Sequence, residues 1–147
     1  MSGPVNGAVS SGRCLCGTVA YRVVGPLRSV VVCHCRDCRR WHGRAAAMTC
    51  ADRGGVAISG EEALRWFRTP DGPDRGFCAR CGSSLFWVAP GRGSISIAAG
   101  TLDAADGLRT VAHIWCDHAP SYETEHVAGV ERHARGAPAR LAAPPER

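Results

Sequence analysis

The stretch Cys33-His34-Cys35-Arg36-Asp37-Cys38-Arg39-Arg40 decides how the rest of this chain is read. It packs three thiols into six residues and follows them with two guanidinium groups, a composition that would make a poor core. It suits a soft metal ion. Three thiolates can take three corners of a tetrahedron around zinc and leave the fourth open or exchangeable, the arrangement of sites that do chemistry rather than scaffolding. Three thiolates on a dication carry a net charge of about minus one, so Arg39 and Arg40 can steady the cluster or hold a substrate carboxylate. A solvated pair at a helix end is the plainer reading of the same two residues.

Four further cysteines bracket this stretch on both sides. Cys78-Ala79-Arg80-Cys81-Gly82 has the spacing of a metal knuckle, and Gly12-Arg13-Cys14-Leu15-Cys16-Gly17 offers two more sulfurs. In an extended strand residues two apart face the same side, so Cys14 and Cys16 are expected to point together while Leu15 points away. Joined, Cys14, Cys16, Cys78 and Cys81 close a four-sulfur structural site across the intervening chain. A redox-active Cys-x-x-Cys lacks the βαβ context that would support it.

The three-thiol set could instead be a second structural site, completed by His34, His42, Cys50, Cys116 or His118. His34 is the weakest of these, because in an extended segment it faces away from its cysteine neighbours. Taken singly, His42, His113 and His118 read as packing or surface residues. Cys50 and Cys116 sit in or beside apparent strands and read as small buried residues.

Composition narrows the rest. The 147 residues suit one domain, and 45% hydrophobic with 21% charged is ordinary for a globular chain. No apolar run approaches the roughly 20 residues of a spanning helix, so no membrane partner is expected. No basic region precedes an apolar stretch at the start, so a secretory signal looks absent and a cytoplasmic setting is expected. Nine cysteines in that setting argue for reduced thiols used on metal rather than a disulfide framework. The net charge of +5 is carried by arginine alone, because the chain has no lysine. That excludes a Walker A lysine, a Schiff base and a lysine general base. A modest basic excess spread along the chain is weak ground for nucleic acid binding.

Many short β runs, punctuated by Gly and Pro, give a mostly β class. Thr18 to Val24, Ser29 to Cys33, Ala45 to Cys50, Val56 to Ser59, Ser84 to Val88, Ser94 to Ala98 and Val111 to Trp115 read as strands. Arg36 to Gly43 reads as a short helical turn stopped by Gly43. Residues 61–68 fit strand or helix equally, and 69–74 read as a loop. Residues 1–11 read as a loose lead-in, 12–132 as the domain, and the Ala, Pro and Arg tail from 133 to 147 as disordered.

With these elements in place the chain resembles the family of glutathione-dependent formaldehyde-activating enzymes, which includes the centromere protein V domain. The resemblance is carried by Gly12-x-Cys14-x-Cys16-Gly17-x-Val19-x-Tyr21, Cys33-His34-Cys35-x-x-Cys38-Arg39-Arg40 and Phe77-Cys78-x-x-Cys81-Gly82-Ser83. Gly100-Thr101-Leu102-Asp103 and His113-Ile114-Trp115 add to it. The resemblance implies a single-domain Mss4-like β fold of the β-tent type with two zinc ions. Cys14, Cys16, Cys78 and Cys81 would hold the structural ion, and Cys33, Cys35 and Cys38 the catalytic one, with Arg39 and Arg40 at the substrate. The implied activity is that of a carbon-sulfur lyase in formaldehyde detoxification, which adds glutathione or an equivalent small thiol to formaldehyde or a related aldehyde. The implied partners are that thiol and aldehyde, and a homodimer is carried as an expectation. Where the family resemblance should place an aromatic residue directly after an Ala-Pro pair, this chain has Ala119-Pro120-Ser121-Tyr122. A non-catalytic zinc module and a thiol-based metal or redox sensor are the competing functions.

Overall fold

The structure is a computed structural model that describes residues 8–70, 72–104 and 107–146. In chain order the strands are β1 (Val9–Arg13), β2 (Ala20–Val24), β3 (Val30–Cys33), β4 (Ala46–Asp52), β5 (Val56–Ser59), β6 (Leu64–Arg68), β7 (Asp74–Cys78), β8 (Ser84–Val88), β9 (Ser94–Ala98), β10 (Thr110–Ile114) and β11 (Glu131–Arg132). The one α-helix among the described residues, α1 (Arg36–His42), lies between β3 and β4. A three-stranded sheet runs β1-β2-β5, and an eight-stranded sheet runs β11-β10-β3-β4-β9-β8-β7-β6. The protein is therefore a mostly β single domain with two sheets.

Alternation explains how the larger sheet builds both a core and a cavity. In β9, Ile95 and Ile97 are 2% and 0% exposed while Ser94, Ser96 and Ala98 are half-buried. The two isoleucines join Phe86, Leu85, Val23 and Tyr21 in one apolar cluster drawn from both sheets. Tyr21 meets Phe86 edge-on with ring centroids 5.3 Å apart. Burial of a side chain such as Phe86 contributes about 1.5–3 kcal/mol. The other face of the same sheet carries a row in which Cys50 opposes Ser96, Ser96 opposes Trp87 and Trp87 opposes Arg75. Val31 and Cys33 extend that face onto β3, opposite Met48 and Ala46.

Order begins earlier than the sequence suggests. Ser10, Ser11 and Gly12 look featureless, yet β1 pairs antiparallel with β2 from Val9 to Arg13. Gly12 also bridges Leu102, and a Cβ there would collide with the Tyr21 hydroxyl and the Thr101 carbonyl. The ambiguous 61–68 segment resolves into a short 3-10 turn followed by β6.

The expectation of a disordered tail is overturned over the described residues 133–146. His113, Trp115 and Cys116 trade backbone hydrogen bonds with the segment at His133 and Arg135. Leu141, 8% exposed, packs with Val31 and Ala112. The buried guanidinium of Arg28 donates through Nη1 to the Leu141 carbonyl at 2.8 Å. The order comes from partners 17 to 113 positions away, so no local periodicity announces it.

Candidate metal centre and active site

The four-sulfur group forms as expected but by a different local route. Cys14, Leu15 and Cys16 lie in a turn rather than a strand: the Gly17 N–H closes on the Cys14 carbonyl at 3.1 Å, and Leu15 is 90% exposed. The second knuckle mirrors it, with the Gly82 N–H on the Cys78 carbonyl at 2.7 Å. Gly17 and Gly82 sit at φ 81° and 79°, the left-handed region that a side chain resists. These two turns bring four sulfurs to within 4.8 Å of one another.

Cys14 and Cys78 are 2% and 0% exposed, with Sγ separations of 3.6 Å from Cys14 to Cys16 and 3.8 Å from Cys16 to Cys78. Such spacings are far too long for disulfides. They match the edge of a zinc–thiolate tetrahedron, which is about 3.8 Å for bonds of about 2.3 Å. The site also tunes its thiols. A hydrogen bond with Ser83, helped by backbone N–H groups, lowers the Cys81 thiol to about 5, while burial raises Cys14.

The second group is Cys33, Cys35 and Cys38, whose sulfurs again lie within 4.8 Å of one another. Cys33 ends β3, Cys35 is the N-cap of α1, and Cys38 is in its first turn. The Cys35 Sγ accepts the Cys38 N–H at 3.3 Å, so the helix start folds the three thiols together. Among the described residues no fourth His, Cys, Asp or Glu completes the group. His34 does face away, with its Nε2 at 2.8 Å from the His113 Nδ1. Hydrogen bonds from Cys33 and Cys38 lower the Cys35 thiol to about 2, and the same bonding pushes Cys33 up. One ionised sulfur is thus accommodated by two protonated ones, and ionising all three calls for a cation. Both groups could hold a metal ion, and their donor sets are consistent with zinc.

The three-thiol group opens onto space. Cys33, Cys35 and Cys38 border a cavity of about 670 Å³. Among the described residues its charged walls are Arg28, Arg36, Arg75 and Arg92 against one carboxylate, Asp37. Arg75 is 5% exposed, and its Nη1 reaches the Cys38 Sγ at 4.0 Å.

Arg39 and Arg40 do not line this cavity. From α1 the cavity is bordered by Arg36, Asp37, Cys38 and His42. Arg40 borders an adjoining cavity of about 210 Å³ with Trp41 and Phe67. Arg39 leaves its Nε buried without a hydrogen-bond partner. Sequence reasoning missed Arg75 because residues 69–74 read as a loop and hid the start of β7; only its two-residue spacing from Phe77 hinted at a strand. It also missed Trp87, Trp115 and the C-terminal wall.

A β domain that gathers seven thiols into one closed four-sulfur cage and one three-sulfur set at a cavity defines a class of protein: a cysteine-rich β domain able to hold two soft metal ions. The chain belongs to the family of glutathione-dependent formaldehyde-activating enzymes, whose model matches residues 9–118. The fold is also similar to the crystal structure of a Rhodobacter sphaeroides protein, at 20% identity and TM-score 0.55, over 64% of this chain and 88% of that one. That likeness concerns the fold alone. No curated protein matches the chain.

Proposed function

We propose that this protein is a zinc-dependent carbon-sulfur lyase that adds glutathione or an equivalent small thiol to formaldehyde or a related aldehyde, acting in the cytoplasm. Family membership supports the formaldehyde-activating, glutathione-related part of this reading. The observation that carries the rest is the contrast between the two sulfur groups: one is closed by four thiols, the other has three and faces a cavity.

In this reading Cys14, Cys16, Cys78 and Cys81 hold a structural zinc, and Cys33, Cys35 and Cys38 hold the catalytic one. When bound there, zinc supplies Lewis acidity at neutral pH. The chain's own residues do the remainder. The cavity walls hold thiol and carbonyl as neighbours, replacing an encounter in solution. The thiol sulfur bonds to the carbonyl carbon, the π pair moves onto oxygen, and the proton lost by the thiol ends on that oxygen. Arg75, beside the Cys38 sulfur, places fixed positive charge where anionic sulfur and oxygen develop. Arg36 borders the same cavity and can grip a carboxylate of the thiol, a role for which Arg39 and Arg40 are placed less directly.

Metal stoichiometry with Cys35→Ser tests this. The wild type should carry two zinc ions per chain, and the variant should stay folded with one ion and form no S-hydroxymethyl adduct. A variant that unfolds, or that retains thiol–aldehyde addition, would sink the reading.

A further inference from the structure

The cavity is much larger and greasier than formaldehyde requires. A two-heavy-atom carbonyl needs little more room than a water, so even with the thiol seated in the same cavity of about 670 Å³ formaldehyde leaves most of the apolar wall uncovered. Much of its lining is apolar: Val31, Met48, Trp87, Ile114, Trp115 and Leu141. A thiol rich in carboxylate and amide groups is a poor match for that wall. Apolar walls with a few convergent charges are the usual lining of a pocket for a drug-sized organic ligand.

Two features mark the wall as built rather than incidental. Trp115 is the one non-glycine residue with positive φ among the described residues, at φ 54° and ψ 39°. That conformation costs a bulky side chain on the order of 1–2 kcal/mol. The strap from 133 to 142 holds it, with the Trp115 N–H on the Arg135 carbonyl at 2.8 Å and the Cys116 N–H on the His133 carbonyl at 3.0 Å. The Trp115 ring lies 5.1 Å from that of His118, and both border the cavity.

The strap itself supplies Gly136, Ala137, Leu141 and Ala142 to the cavity, and it lies beyond residue 118, where the family match ends. It is fastened by cations. Arg28 donates to the carbonyls of Ser29, Met48 and Leu141, and Arg92 donates to the Ala142 carbonyl at 3.5 Å. Among the described residues the ionisable groups that act on Arg28 are Cys50 and Arg92. Among the described residues three carbonyls take three of the five N–H groups of Arg28. Arg28 lies five positions before Cys33 on the run into β3, up to about 16 Å from the thiol site.

Resting on the thiol–aldehyde reading above, we propose that the carbonyl substrate is an aldehyde with an apolar, ring-sized body and an anionic end, the body against Trp115, Ala137 and Leu141 and the anion at Arg92 and Arg28. The strap is then the specificity-determining element of this family member.

The test compares kcat/KM of the zinc-loaded full chain, with glutathione as thiol, for formaldehyde, benzaldehyde and 4-formylbenzoate. We expect 4-formylbenzoate to exceed formaldehyde at least tenfold. Ala137→Phe, which fills the wall, should lower the 4-formylbenzoate to formaldehyde ratio at least tenfold. Arg92→Gln should lower the 4-formylbenzoate to benzaldehyde ratio about tenfold, mainly through KM. Turnover of formaldehyde alone, or ratios unmoved by both variants, would overturn the proposal and leave the thiol–aldehyde reading standing. Turnover of no aldehyde would instead remove that reading. Tryptophan quenching by the unreactive 4-(hydroxymethyl)benzoate then decides the pocket: saturable quenching lost in Ala137→Phe retains an aryl-carboxylate site, and its absence in the wild type sinks it.

Discussion

The Nη1 of Arg75 lies 4.0 Å from the Sγ of Cys38, 37 positions earlier in the chain. Arg75 reaches there because alternation along β7 turns it to the face that Trp87 and Ser96 share. Contacts of an ionised donor are worth about 1.5–3 kcal/mol, so Arg75→Met should lower kcat/KM for thiol–aldehyde addition by roughly tenfold or more. Arg75→Lys should recover part of the loss, since a point charge replaces a planar fork. Steady-state kinetics, with circular dichroism to confirm folding, checks this. A larger loss in Arg39→Met or Arg40→Met would return the substrate-holding role to the helix.

Removing a sulfur from the closed cage should act on the fold rather than on turnover. A structural zinc contributes on the order of 10 kcal/mol or more, comparable to the whole stability of a domain at about 5–15 kcal/mol. Cys78→Ser should therefore abolish the cooperative thermal transition. Cys50→Ser is the control: this thiol is 1% exposed and belongs to neither sulfur group. It should melt lower but still bind as much zinc as the wild type.

Tyr21 predicts an alkaline limit. Burial raises its hydroxyl from 10.0 to about 12, partly offset by the hydrogen bond with Thr101. The folded-state value lies above the unfolded one, so stability is full below pH 10 and declines as pH rises toward 12. The integrated loss is roughly 2–3 kcal/mol. Denaturant midpoints should fall across that window, and Tyr21→Phe should flatten the fall.

Gly12→Ala should be costly although β1 is short. The added methyl meets the Tyr21 hydroxyl and the Thr101 backbone, neither of which can swing away. We expect a loss of about 1–3 kcal/mol, as for overpacking elsewhere, measurable by urea titration. A neutral result would show that β1 can separate from the 101–102 turn.

What the sequence made legible is what is local. The knuckle spacings, the Gly43 stop of α1 and the alternation of β9 depend on near neighbours, and the strands Val56–Ser59, Ser84–Val88 and Ser94–Ala98 stand where their patterns place them. The cavity was not legible, because its walls come from α1, β3, β4, β7, β8, β9, β10 and the strap, which only the tertiary fold brings together. Arg39 and Arg40 drew attention by standing next to Cys38, whereas Arg40 borders the adjoining cavity and strand pairing brings in Arg75. The strap was hidden for the same reason. Its Ala and Pro residues carry no period, and the arginine that fastens it stands 113 positions upstream.

The closed cage also sets a timetable for synthesis. Cys16 and Cys78 are 62 positions apart, and at about 5–20 residues per second the first knuckle emerges several seconds before the second. During that interval its thiols have no partner turn, and neither sheet can be pinned to the other. The nascent chain is then most exposed to oxidation and most dependent on reducing surroundings and an available metal supply.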